Sequence, residues 1–280
     1  MFRIVTDSAA DVPVEWQKEF DIQVIPANIQ FREKSYLPGV DLDQDDFYRI
    51  IRQTRQIPKT TPPSVDQFSD FYQKIASRGD SILSIHVTSK LSQTLASATS
   101  AAADLGGSLN IIPFDSLSGT AGIGILCREA RIQERAGKSI KEIIFYLEQF
   151  RYKIGVVLTL DTLEYARMSG RVGRLQSTLA SILNVKPIVR VIDGELKMAE
   201  RVRSRNDSLE RVLAIMTEEV GEHPVNVIVV HAHDEQAGNK LMEQVRTRFN
   251  VRELILNELS LSVAANLGPG TVGVAFCPVE

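Results

Sequence analysis

The sequence has few of the residues from which metal centres and disulfide frameworks are built. It contains two cysteines, Cys127 and Cys277, and their positions show no metal-ligand spacing. We therefore predict reduced thiols and a cytoplasmic protein. No apolar run reaches the length of a transmembrane helix, and the opening MFRIVTDS enters a strand directly, without the pattern of a signal peptide. The expectation is a chain that is not embedded in a membrane.

An excess of either charge is also lacking. The 280 residues carry a formal net charge of −3, which gives no reason to expect nucleic acid or an anionic membrane surface as a partner. Hydrophobic residues make up 44% and charged residues 24%, as in ordinary globular proteins. The length is sufficient for one large domain or two modest ones.

Several familiar site motifs are missing. There is no GxxxxGK[ST] phosphate loop and no GxSxG nucleophile elbow. The glycines of Gly119–Gly124 do not follow the order of a dinucleotide fingerprint, so we interpret them as positions of close helix packing. The sequence His231–Asp234 has two histidines but no identifiable third ligand, and His86 is predicted to be a hydrogen-bonded core residue. We predict neither a metal nor a cofactor.

Strands and helices alternate over residues 1–154, which predicts an α/β domain with a mainly parallel sheet. In residues 155–280 the pair Asp193-Gly194 separates two apolar runs and predicts a β-hairpin. A hairpin within a strand–helix series indicates a second α/β domain with a mixed or antiparallel sheet. The boundary is predicted near Lys153–Gly155.

Local signals predict where individual elements begin. Asp43, Ser64, Ser139 and Asn206 each precede a helical pattern and are predicted helix N-caps. The run Ile22–Phe31 is predicted as strand.

The stretch Ser81–Ala103 has the pattern of an anion site. An apolar strand leads through the hydroxyl-rich turn Thr88–Thr94 into an Ala-rich helix. Helix N-termini present unpaired N–H groups and the positive end of a dipole, and hydroxyls add donors. Ordinary N-capping is the commoner explanation of Ser and Thr residues before a helix. Two other turns are comparable: Lys59–Ser64, with two hydroxyls before a Pro-Pro pair, and the Gly-Pro-Gly turn that follows Asn266.

Taken in order, these segments resemble the DegV family, whose members bind fatty acids. The resemblance covers nearly the whole chain and is carried by IVTDSAADVP, KTTPPS, SKLSQTLASA, FDS, YARMSGRVGR, the hairpin after KPIV, and NLGPGTVG. It implies two α/β domains with a long-chain fatty acid, such as palmitate, between and within them. In bacteria with a fatty acid kinase, such proteins present the fatty acid to a separate kinase subunit. The resemblance therefore implies a carrier that is not itself an enzyme.

The family's carboxylate-binding positions fall on Thr60, Ser92 and Asn266, with Thr61 and Gln93 as possible further contacts. The family usually has Leu-Ser-Gly-Thr where this chain has Leu-Ser-Gln-Thr, and Thr-Ser-x-Pro where this chain has Thr-Thr-Pro-Pro. It often has His at the position of Asn266. An amide can donate to a carboxylate but carries no charge, so the affinity for the headgroup and its pH response are expected to differ.

Arg171 lies in the family's Ser-Gly-Arg motif, and Arg174 follows in the same turn. Arginine suits recognition of a partner's carboxylate or phosphate, so Arg171 is a candidate for kinase docking. A solvated basic loop explains it as well.

Two other functions stay open. One is a lipid-dependent regulator, and the other is a hydrolase or phosphotransfer enzyme that uses Asp7, Ser8 or Asp115.

Overall fold

The computed structural model describes residues 1–171 and 185–279, so Arg174 lies outside the described residues. Strands and helices alternate through the first half. Their bounds are β1 Phe2–Asp7, α1 Val14–Glu19, β2 Ile22–Ile25, β3 Asn28–Phe31, β4 Lys34–Tyr36, α2 Gln44–Thr54, β5 Lys59–Thr61, α3 Val65–Ile75, β6 Ser81–His86, α4 Thr94–Asp104, β7 Asn110–Asp115, α5 Ala121–Arg135 and α6 Ile140–Phe150.

The second half contains a longer series of strands. Its described elements are β8 Gly155–Thr159, α7 Glu164–Met168, β9 Lys186–Ile192, β10 Glu195–Val202, α8 Arg205–Val220, β11 Val225–His231, α9 Glu235–Arg248, β12 Val251–Glu258, α10 Leu261–Leu267 and β13 Val272–Pro278. Short 3₁₀ turns cover Ser8–Ala10 and Arg151–Lys153. Among the helices of the described ranges, none is long and apolar enough to cross a membrane.

The first sheet has the order β2-β1-β6-β7, and its strands are all parallel. The second has the order β10-β9-β8-β13-β11-β12; β11 and β12 are parallel, and the other neighbours are antiparallel. The predicted fold class, two α/β domains with one parallel and one mixed sheet, is confirmed. The boundary between residues 154 and 155 falls just before β8 and stays a prediction.

The second sheet contains the predicted hairpin. β9 and β10 pair antiparallel through a two-residue turn. Asp193 has φ 51° and Gly194 has φ 76°, the left-handed values at both positions that a type I′ turn requires.

A third, smaller sheet corrects the expectation of one strand over Ile22–Phe31. The chain leaves the parallel sheet after β2, and β3 then pairs antiparallel with β4 and β5 in the order β4-β3-β5. Pro26 lies at the break, where it has no N–H to donate to a ladder. This small sheet brings Thr60, on β5, toward the second domain.

Three of the four predicted caps are confirmed. The side chains of Asp43, Ser64 and Ser139 accept hydrogen bonds from the first turns of their helices. The prediction for Asn206 is wrong. The cap of α8 is Ser204, which has an extended backbone and accepts from the N–H of Asp207.

Helix α5 lies between the two large sheets, and its glycines allow the neighbouring elements to approach it closely. A Cβ on Gly122 would lie 2.9 Å from Cγ2 of Val156 in β8, and one on Gly124 would lie 3.1 Å from the carbonyl oxygen of Ala10. This confirms the interpretation as close packing positions for Gly122 and Gly124, whereas a Cβ on Gly119 would have no heavy atom within 4 Å. Apolar residues from both halves of the chain join in one buried cluster around this helix. The two domains therefore pack closely.

Candidate functional site

A cavity lies between the domains, and the space within it that protein atoms do not fill is about 770 Å³, including open solvent at its mouth. Its walls combine residues of both halves of the chain. The apolar ones are Ala9, Ala27, Pro62, Val87, Leu91, Leu158, Val191, Leu196, Val263 and Leu267. Such a surface favours an apolar ligand, because binding removes the apolar area of both the ligand and the wall from water.

One polar group on the wall is formed by β5 and α10. The amide nitrogen of Asn266 donates to Oγ1 of Thr60 at 3.2 Å and to the carbonyl oxygen of Ser262 at 2.7 Å. Both amide protons of Asn266 are thus engaged within the protein. The Thr60 hydroxyl accepts from Asn266, which leaves its own proton free for a ligand.

A second polar group lies where α4 begins. Oγ of Ser92 is 2.8 Å from Oγ1 of Thr94 and accepts from the Thr94 backbone N–H at 3.2 Å. Both side chains line the cavity, and Thr94 is almost completely buried. Ser92 therefore accepts from the first N–H of the helix, from the position before the N-cap, and also faces the cavity. Gln93 occupies the N-cap position, but its side chain makes no capping bond.

The remaining predicted contacts lie elsewhere. Thr61 is exposed and outside the cavity lining, because consecutive residues of a strand point to opposite faces and Thr60 points inward. Gln93 is also exposed and borders an outer depression that is open to solvent. Of the five predicted contacts, the structure places Thr60, Ser92 and Asn266 in the cavity wall. Thr94, in the same turn as Ser92, is an additional member.

Arg171 lies at the mouth of the cavity. Together with Pro62, Leu91 and Ser92 it lines both the cavity and the outer depression. Its Nε donates to the carbonyl oxygen of Leu91 at 3.4 Å, and its Nη1 donates to that of Ser169. Burial lowers the pKa of the Arg171 guanidinium. A half-buried side chain held by two carbonyls is not the solvated loop residue that the sequence also allowed.

A buried hydrogen-bonded chain underlies one wall. Asp7 Oδ2 is 2.9 Å from Nδ1 of His86, Nε2 of His86 is 2.7 Å from Oγ of Ser84, and Ser84 is 2.7 Å from the hydroxyl of Tyr72. Asp7 also accepts from the backbone N–H groups of Ala9 and Val87. The prediction of His86 as a hydrogen-bonded core residue is confirmed. These hydrogen-bonded side chains include the Asp, His and Ser of a catalytic triad. Ser84 is nevertheless fully buried and unavailable as a nucleophile.

The other strand-end candidates are also engaged. Ser8 donates to Oγ of Ser262 and accepts from the N–H of Ala27. Asp115 accepts from Ser89 and from the N–H of Leu117, and it does not line the cavity. Within residues 1–171 and 185–279, no group of three or more His, Cys, Asp or Glu side chains could hold a metal ion.

Comparison with known proteins identifies the relationship. A family model described as the DegV family matches residues 1–279. The chain belongs to the DegV family. A DegV domain-containing protein of Caldanaerobacter subterraneus is 31% identical over 276 residues, covering 98% of this chain and 97% of that protein. Protein DegV of Bacillus subtilis is 26% identical over 276 residues, covering 98% of both.

Solved DegV structures share the fold. The Bacillus subtilis structure, described as a fatty acid binding protein, superposes with a TM-score of 0.90 at 26% identity and covers 99% of both chains. A DegV lipid binding protein from Thermotoga maritima gives a TM-score of 0.90 at 26% identity, covering 100% of this chain and 99% of the other. A structure from Thermus thermophilus, described as fatty acid binding of a DegV family protein, gives 0.89 at 26% identity and covers 99% of both.

Proposed function

We propose that this DegV protein binds a long-chain fatty acid, with the acyl chain in the interdomain cavity and the carboxylate near its mouth. The observation that carries the proposal is the combination of an extended apolar wall with hydroxyl donors and the Arg171 guanidinium at the open end. The solved relatives described as fatty acid binding proteins, at 26% identity over nearly the whole chain, support the same ligand class.

The energetics favour such a ligand. Burying a methylene group contributes about 0.8 kcal/mol, so a dozen methylenes contribute about 10 kcal/mol. That is comparable with the cost of association, about 4–15 kcal/mol, so the headgroup contacts are needed for tight binding. A buried carboxylate without donors would be very unfavourable.

The carboxylate contacts follow from the hydrogen bonds within the wall. Thr60 has a proton to donate because Asn266 already donates to its oxygen. Ser92 is held in place by Thr94, and its hydroxyl proton is free when the Thr94 hydroxyl donates to it. We therefore assign direct contact to Thr60 and Ser92, and a positioning role to Asn266 and Thr94. This revises the expectation that Asn266 itself contacts the carboxylate.

Arg171 places a positive charge at the mouth of the cavity. Its side chain lines the cavity beside Leu91, the residue before Ser92. Contact with the carboxylate accounts for this half-buried position better than an exclusive role in docking a partner does. Presentation of the fatty acid to a kinase subunit, which the family resemblance implies, is compatible with a headgroup at the solvent-exposed mouth. We propose no catalytic residue on this chain.

Extraction tests the ligand directly. The purified protein is denatured, extracted with organic solvent and analysed by mass spectrometry for fatty acids. We expect a long-chain fatty acid in an amount comparable with that of the protein. If none is recovered, and delipidated protein also fails to bind palmitate or oleate in a calorimeter, the proposal is wrong.

A further inference from the structure

Asp11 is a buried acid at the junction of the two domains, and it is only 5% exposed. It follows the 3₁₀ turn after β1 and has a left-handed backbone with φ 42°. Its Oδ1 accepts from the backbone N–H of Ser260 at 2.7 Å, and its main-chain oxygen accepts from Nδ2 of Asn257 at 2.8 Å. A loop of the first domain thus holds the end of β12 and the start of α10. We call these contacts the Asp11 junction.

The Asp11 junction borders the cavity on two sides. Ser260 is the N-cap of α10, the helix that carries Ser262 and Asn266 into the cavity wall. Thr120, which precedes α5 and also lines the cavity, supplies a hydroxyl that favours the ionised form of Asp11. A change at the Asp11 carboxyl therefore affects the start of α10 and the start of α5, which both border the cavity.

Within the described part of the chain, no positive charge balances Asp11 when it is ionised. Its Oδ2 is buried and has no partner within hydrogen-bonding distance. The titratable groups that face it are Asp7 from β1, whose charge disfavours a second carboxylate, and the buried Tyr48 from α2. Among the described residues, no basic side chain contributes to its titration. Burial raises the pKa of Asp11 from 3.8 to about 7, against the opposing influence of the nearby Thr120 hydroxyl and of the hydrogen bond from the Ser260 N–H.

We propose that Asp11 is a proton-dependent latch between the two domains: protonated Asp11 keeps the Asp11 junction closed, and ionised Asp11 loosens it and speeds ligand exchange. The part of this inference that concerns a ligand rests on the proposed function. The closed junction binds the proton more tightly than an open, hydrated one. Closure is therefore most favourable at low pH, and this advantage is lost as pH rises from about 4 through 7.

The expected size of the effect follows from one linked proton. The ratio of open to closed junction rises up to tenfold per pH unit between about pH 4 and 7 and levels off above that range. Exchange of a bound fatty acid should therefore be roughly tenfold or more faster at pH 8 than at pH 5.5. Asp11→Asn keeps the shape of the side chain but carries no charge. It should behave like the protonated form at every pH.

The first test observes the latch without a lipid. In wild-type protein the backbone amide of Ser260 should show an NMR titration with a midpoint near 7. The titration should be absent in Asp11→Asn and retained in the control Asp70→Asn, which changes an exposed acid on α3. At pH 8, hydrogen exchange of the α10 amides should be faster in wild type than in Asp11→Asn. If the Ser260 amide does not titrate, or α10 exchanges equally in both proteins, the latch is refuted.

The second test measures exchange of a bound fluorescent fatty acid by stopped flow from pH 5.5 to 8. Wild type and Asp70→Asn should accelerate with pH, whereas Asp11→Asn should stay slow. Identical pH profiles for all three proteins would overturn the proposal. If no fatty acid binds at any pH, the proposed function fails, and the NMR and hydrogen-exchange results still decide whether the latch exists.

Discussion

Replacing Thr60 by valine tests the headgroup site with little change of shape. The substitution removes the hydroxyl that we assign to the carboxylate and leaves the cavity volume nearly unchanged. A hydrogen bond to a charged group contributes about 1.5–3 kcal/mol. Since 1.4 kcal/mol corresponds to a factor of ten, the dissociation constant for palmitate should rise by about 10- to 100-fold. The acyl chain stays buried, so binding weakens but does not disappear.

The neighbouring threonine provides the matched control. Thr61→Val makes the same chemical change on the exposed face of β5, outside the cavity lining. Delipidated wild type and both variants are titrated with palmitate by calorimetry, and their melting temperatures are compared. The reasoning is refuted if Thr60→Val binds as tightly as wild type, or if Thr61→Val weakens binding to the same extent.

Three further substitutions and one control address the rest of the mouth. Ser92→Ala should weaken fatty acid binding by about 1–3 kcal/mol, whereas Gln93→Ala should not; equal effects in calorimetry would place the headgroup elsewhere. Asn266→His should retain binding because an imidazole N–H can still donate to Thr60; a loss as large as that of Thr60→Val would show that the amide itself is required. Arg171→Ala should weaken binding of palmitate at an unchanged melting temperature. If it binds normally but slows acyl-phosphate formation by a cognate kinase, Arg171 acts in docking instead.

Local features of the fold could be predicted from the sequence. Ser64 and Ser139 cap their helices as expected, and each also forms a capping box with the Gln or Glu three residues later. The turn at Asp193-Gly194 could be predicted because a type I′ turn requires two consecutive left-handed residues, and Asp-Gly is one of the preferred pairs at these positions. The Asn206 prediction failed because Ser204, two residues earlier, also caps well. For the helix caps and for the hairpin turn alike, the deciding interactions join residues that are close in the sequence.

Features that depend on distant contacts could not be predicted. The division of Ile22–Phe31 into two sheets depends on pairing between Asn28 and Thr61. Likewise, the engagement of Asn266 with Thr60 joins residues far apart in the chain, so the sequence could suggest both as site residues but not that one positions the other. Asp11 lies in IVTDSAADVP, yet nothing local indicates that Ser260 meets it. Such contacts become visible only when distant parts of the chain are folded together.

The dependence of affinity on acyl chain length tests the central claim most directly. Delipidated protein is titrated with saturated fatty acids from ten to sixteen carbons, and with methyl palmitate as a ligand that lacks the carboxylate. If the apolar cavity and the hydroxyl-lined mouth act together, each added pair of methylenes should strengthen binding by about 1.6 kcal/mol, roughly tenfold, until the cavity is filled. Methyl palmitate should bind more weakly than palmitate. An affinity that does not depend on chain length, or equal binding of the ester and the acid, would contradict the account.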